Sequence, residues 1–175
     1  MASYWMGSGL LFERPGGLIL PDPETFDPTD GVCNQTSIMR TKLAVALTII
    51  CMKASAQWVE WPVSAGGNGH FYLPVMTTTN ISWQDAQRLA SGSDAYLATV
   101  TSDAENTFVF GLVNSPQWVD TSRGPLLGGY QLEGAQEPAG AWAWVTGEPW
   151  VFGSWWPTMP DNGAAGREDA LHYMP

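Results

Sequence analysis

Between Glu137 and Asp169 the sequence gathers five carboxylates, Glu137, Glu148, Asp161, Glu168 and Asp169. The same stretch holds five tryptophans, Trp142, Trp144, Trp150, Trp155 and Trp156. Asp161-Asn162 and Glu168-Asp169 stand five residues apart and together offer three carboxylates and an amide. That is the donor chemistry of calcium, which takes six to eight oxygens from carboxylates, carbonyls and amides in a flexible geometry. The tryptophans offer a second chemistry. An exposed indole stacks on the apolar face of a sugar as readily as it anchors a protein contact, and a buried one supplies core.

Other chemistries find less support. Two carboxylates astride a glycosidic bond would make a glycosidase, and Glu137, Glu148 and Glu168 are candidates, but nothing in their spacing pairs any two of them. His70 and His172 sit in strand-like aromatic surroundings, His70-Phe71-Tyr72 and Leu171-His172-Tyr173, where a hydrogen-bonded core histidine is expected. No nucleophile-elbow, zincin, phosphate-loop or dinucleotide glycine pattern occurs. The formal charge is −10, and from Gln57 onward twelve acids face three arginines. A nucleic-acid partner, which calls for clustered Lys and Arg, is therefore not expected.

The elements that must hold the acids and tryptophans follow from local pattern. Gly147, Pro149, Gly153, Pro157, Pro160, Gly163 and Gly166 forbid a helix across the acidic stretch, which predicts short strands feeding a long loop anchored by its tryptophans. Upstream, Ser82 with Asp85 three residues on opens a helix over about 82–91, with Trp83, Ala86, Gln87 and Ala90 on one face and Gly92 as its stop. Ser102-Asp103-Ala104-Glu105 is a capping box for a second helix, with Phe108, Val109 and Leu112 inward and Asn114-Ser115-Pro116 at its end. Strands are expected at His70–Leu73, Tyr96–Val100 and Leu126–Tyr130, with a weak alternation over Gln57–Pro62.

These motifs, in this order, resemble a C-type lectin-like domain. The pattern W-x-x-A, L-A-T-V-T-S-x-x-E-N-x-F over Trp83–Phe108 is similar to the family's two helices and intervening strand, and Leu126-Leu127-Gly128-Gly129-Tyr130 to its central strand, with Leu in place of the usual Trp. Trp142-x-Trp144-x-x-Gly147-x-Pro149, then Pro160-Asp161-Asn162 and Glu168-Asp169-x-Leu171-His172, are similar to its long-loop region. The resemblance implies that Asp161, Asn162, Glu168 and Asp169 are calcium ligands, that Asp161, Asn162, Glu168 and Trp156 contact a sugar, and that Pro160 is a cis-proline. Trp142, Trp144 and Trp155 match core positions; Trp150 and Trp156 are freer. Two departures weaken the site. Met159 stands where the family has Glu or Gln, and a thioether is a poor ligand for a hard cation. The family's Trp-Asn-Asp segment and closing strand are not found after His172, which predicts an incomplete domain with the edge of the His70–Leu73 strand open.

Residues 1–38 show no sustained period and carry PGG, PDP and DPTDG breakers, so they are expected to be an unstructured upstream extension or a gene-start artefact with Met39 as the true start. Basic Met39–Lys42, the ten-residue apolar run Leu43–Met52 and Ala54-Ser55-Ala56 together form a signal-peptide pattern over 39–56, too short an apolar run to span a bilayer. The mature domain is then 57–175, which holds neither Cys33 nor Cys51 and so has no disulfide.

The expectation is an α+β chain with the C-type lectin-like fold, two helices flanking small antiparallel sheets with a long structured loop. It is a secreted or cell-surface module, not an enzyme. It binds carbohydrate or a glycoconjugate with calcium as cofactor; the alternative is a calcium-independent domain for contact with a protein surface.

Overall fold

The computed structural model describes residues 6–16, 57–118, 124–163 and 168–174. The segment 39–56, read as a signal peptide, lies outside them.

The sheet is built around a strand that the sequence pattern did not reveal. β1 (Met6–Arg14) is followed by β2 (Val59–Glu60), β3 (Phe71–Ser82), α1 (Trp83–Ser91), β4 (Tyr96–Leu97), α2 (Asp103–Gly111), β5 (Leu126–Gln131), β6 (Trp142–Trp144) and β7 (Ala170–His172). The main path through the sheet runs β2-β3-β1-β5-β6, with β4 also on β1 and β7 also on β5. This is an α+β architecture, as expected.

β1 corrects two expectations. Met6–Arg14 belongs to the ordered unit instead of an unstructured extension, and the edge of β3 is occupied instead of open. The antiparallel register runs from Met6↔Ser82 to Arg14↔Phe71, with an irregularity between Gly7 and Gly9. On its other side β1 meets β4 at Phe12↔Leu97 and Glu13↔Tyr96, and β5 in parallel at Leu10↔Leu126. The physical reason is burial on both faces. A strand sandwiched between two layers reads as a continuous apolar run, here Leu10-Leu11-Phe12, without the alternation that marks a half-buried strand.

The two faces carry two cores. Leu10 and Phe12 pack with Leu73, Trp83, Ala86, Ala90 and Leu97 under α1. Leu11 packs with Tyr72, Val100, Val109, Val113, Leu127 and Trp144 under α2. The helices begin where the capping patterns put them. The Ser82 hydroxyl accepts from the Asp85 amide at 3.1 Å, and that of Ser102 from the Glu105 amide at 3.2 Å. One local expectation differs. Gly92 at the end of α1 is right-handed (φ −69°), and the left-handed turn falls on Asp94 (φ 51°). In β5 the close approach is at Gly128, where a Cβ would lie 2.3 Å from the Leu97 carbonyl oxygen, so the strand passes β4 only without a side chain there.

Phe12 is fully buried. Phe12→Ala is therefore expected to cost about 3–5 kcal/mol, the range for emptying a core aromatic position, in urea denaturation followed by tryptophan fluorescence. An unchanged midpoint would mean that β1 is not part of the folded unit in solution.

Candidate functional site

The loop between β6 and β7 is anchored by stacked indoles. Trp142 and Trp144, on β6, are buried. Trp150 stacks on Trp144 with centroids 4.5 Å apart and 26° between planes, and Trp155 meets Trp142 edge-on at 4.9 Å. Trp150 is thus partly buried against the core although the resemblance left it freer. Trp156 alone of the five is exposed, at 50%. The loop and the sheet enclose a cavity of about 610 Å³, walled by Leu127, Phe110, Trp144 and Trp150 and rimmed by Trp156, Met159, Pro160 and Glu168.

Beyond Trp156 the chain turns sharply. The Met159 amide donates to the Trp156 carbonyl at 2.8 Å, and the Met159-Pro160 peptide is cis, as the resemblance implies. Asn162 is left-handed (φ 61°), a conformation Asn tolerates better than most residues. Its side-chain oxygen accepts from the Glu168 amide at 3.1 Å, which brings the 168–169 segment back against the turn. Asp161 accepts from the Gly163 amide at 3.0 Å. The carboxyl of Glu168 is held above its ordinary pKa by burial, by a hydrogen bond to Asp161 and by the charge of Asp161. Two carboxyl groups are therefore gathered at one place.

Asp169 takes a different position. Its carbonyl accepts from the Gln131 amide at 2.9 Å as the chain enters β7. Among the described residues no three acids, histidines or cysteines group to hold a metal. Of the proposed ligands the structure unites Asp161, Asn162 and Glu168, and Asp169 does not join them as a third acid. This donor set suits a hard cation in kind but falls short of six oxygens from side chains alone, since the Asn162 oxygen already serves the Glu168 amide.

A second polar group escaped the sequence reading. The Glu13 carboxylate, 1% exposed, receives the Thr99 amide at 2.7 Å and the Tyr96 hydroxyl at 3.3 Å, and lies 2.5 Å from His70 Nδ1. Beside it, Glu105 accepts from the Tyr72 hydroxyl at 2.6 Å, from Asn68 Nδ2 at 2.8 Å and from the Thr101 amide at 2.7 Å. The second half of the capping box thus reaches one residue past the cap and into the core. Burial pushes the Tyr72 and Tyr96 hydroxyls far up, so both remain donors. His70 behaves as a hydrogen-bonded histidine, but its partner was hidden in a segment that showed no period.

The comparisons with known proteins bear on the same elements. The chain is similar to C-type lectin domain family 10 member A of Homo sapiens, 29% identical over 103 residues, 55% of this chain and 28% of that protein. It is similar as well to C-type lectin domain family 4 member F of Mus musculus, 32% identical over 112 residues, 60% of this chain and 18% of that protein. The chain carries a C-type lectin-like domain. It spans less than a third of the length of these curated relatives. No family model matches the chain, and no solved structure matches it. Among the described residues no helix is long and apolar enough to cross a membrane.

The Glu13–His70 contact makes the stability of this C-type lectin-like domain pH-dependent. His70 is held above its ordinary value chiefly by its hydrogen bond to Glu13, with burial opposing. Glu13 is raised by burial, against its bonds to His70 and Thr99. A raised folded-state pKa contributes stability that is complete below the unfolded value and is lost as pH rises through the folded one. For His70 that loss begins above about pH 6.5, and raised Glu13 acts in the same direction from its own lower range. The melting temperature is expected to fall as pH rises from 6.5 to 9, and His70→Gln to flatten that slope. A wild-type slope of the opposite sign would contradict the assignment.

Proposed function

We propose that this domain is a secreted carbohydrate-binding module whose ligand sits on the loop between Gly153 and Asp169. The observation that carries the reading is the union of Asp161, Asn162 and Glu168 on the turn that follows the exposed Trp156. In this reading the Trp156 face stacks on the apolar side of a sugar ring. The two carboxyl groups accept from vicinal hydroxyls, and the adjoining aromatic cavity receives what the sugar is attached to. The relatives named as C-type lectin domain proteins support carbohydrate as the ligand class.

Calcium has a defined place in this reading. Asp161 and Glu168 would hold it, with Asn162 keeping the Glu168 segment against the turn. When bound, the ion would neutralise the paired carboxyl groups and polarise sugar hydroxyls. With few protein oxygens its affinity would be low. Met159, on the cavity rim where the family places an oxygen-bearing side chain, favours a second reading: a calcium-independent surface for a protein partner.

A glycan array probed with and without a chelator separates the two. Retained sugar binding that falls tenfold or more in Trp156→Ala and in Asp161→Asn, and weakens with chelator, is the expected outcome. Calcium at a hundred times its dissociation constant should raise stability by about 2.7 kcal/mol. Identical melting curves with and without chelator would remove calcium, and an array without binders would leave the protein-contact reading.

A further inference from the structure

The cavity beside the tryptophan loop is larger and more apolar than a sugar ring needs. Leu127 of β5, Leu171 of β7, Phe110 of α2, Val100, and Trp150 and Phe152 of the loop line its volume of about 610 Å³. Small-molecule sites span about 300–1,000 Å³. Ring packing holds the loop over the sheet, through the Trp144–Trp150 stack at 4.5 Å and the Trp142–Trp155 contact at 4.9 Å. Two polar residues of the lining already serve each other, since the Tyr173 hydroxyl donates to Asn106 Oδ1 at 3.1 Å. Water in such a space finds few partners, and its displacement by an apolar group gains affinity.

The charge at the rim narrows the choice of occupant. Glu168 belongs to the lining, and Asp161 is hydrogen-bonded to it. Among the described lining residues there is no lysine or arginine. An amphiphile with a carboxylate or phosphate head would meet like charge there, whereas a hydroxyl donates to a carboxylate. Trp156, half exposed, borders the same cavity. An apolar body in the cavity therefore lies within reach of a hydroxylated, uncharged head at the rim.

We propose that the ligand of this loop is an amphiphile: an uncharged glycoside whose alkyl, acyl or aryl aglycone fills the cavity while its sugar lies against Trp156. The inference rests on the carbohydrate reading of the loop and adds to it the class of the group that the sugar carries. The aglycone supplies affinity through burial, and the sugar with the two carboxyl groups supplies selection against anionic lipids.

The test titrates the full chain with methyl, butyl, hexyl and octyl β-glucosides and β-galactosides, all below their micelle concentrations, by calorimetry and tryptophan fluorescence. Affinity is expected to rise about threefold to fourfold for each added methylene, at least tenfold from methyl to hexyl, and to level off once the cavity is full. Phenyl glycosides set beside the hexyl ones tell an aryl source from an alkyl one, and a gain over the methyl glycoside from either supports the proposal. Octanoate should bind at least tenfold more weakly than the octyl glycosides. Phe152→Asp, which sets a charge on the wall, should erase the gain from methyl to octyl; the wild-type series decides the matter without it if that variant fails to fold. Methyl glycosides that bind with no gain from longer or phenyl aglycones would overturn the proposal and leave the carbohydrate reading standing. Octanoate binding as tightly as the octyl glycosides would overturn it too, and a chain that binds no glycoside of any length would remove both.

Discussion

The structure depends on one backbone arrangement: β1 lies between β3 on one side and β4 with β5 on the other. Without it the two cores have no shared wall, since Leu10 and Phe12 close the one under α1 and Leu11 the one under α2. Its polar end matters as much. Glu13 puts a carboxylate at the boundary of β1, β3 and β4, where leaving it unpaired would cost the desolvation of a charge. The Thr99 amide, Tyr96 and His70 supply the partners. A slip of β1 by one residue would put Phe12 among these donors and Glu13 in the apolar layer, so the polar group fixes the register.

The aromatic loop is built on that frame in a graded way. β6 is paired to β5 through Gly129↔Trp144 and Gln131↔Trp142, which sets the two buried indoles on one side of the strand. Trp150 and Trp155 stack on them and bring the loop back over the sheet, leaving Trp156 outside. The turn at Pro160–Gly163 and the Asn162 contact to Glu168 then return the chain to β7. Rigidity passes from the sheet to the loop through the indoles, and Trp156, Asp161, Asn162 and Glu168 lie at its far end.

Much of this was legible in the residues. Both helices start at their capping serines, β5 runs one residue beyond the expected Leu126–Tyr130, and the tryptophan spacing announced an anchored loop. Two signals that reported on only part of their environment misled. Trp150 lacks a matching core position, yet the stacking energy available beside Trp144 draws it in. β1 showed no period, only the Pro15-Gly16-Gly17 breaker at its end, and its partners stand more than fifty residues away, beyond the reach of any local pattern. Glu13 belonged to no pattern, and Glu105 read only as half of a capping box. Only their meeting across Tyr72 reveals a buried network.

The position of β1 in the chain also orders the events of synthesis. β1 leaves the ribosome before β5, its parallel partner, whose Leu126 opposite Leu10 is made 116 residues later. At the usual pace of about 5–20 residues per second, the Leu10-Leu11-Phe12 triplet waits roughly ten seconds for the walls that will cover it. During that interval it is an unshielded apolar strand on a nascent chain, a natural substrate for chaperones and a seed for pairing between neighbouring ribosomes on one message. Among the described strands, one that ends fully buried is therefore the one that waits longest in water for its partners.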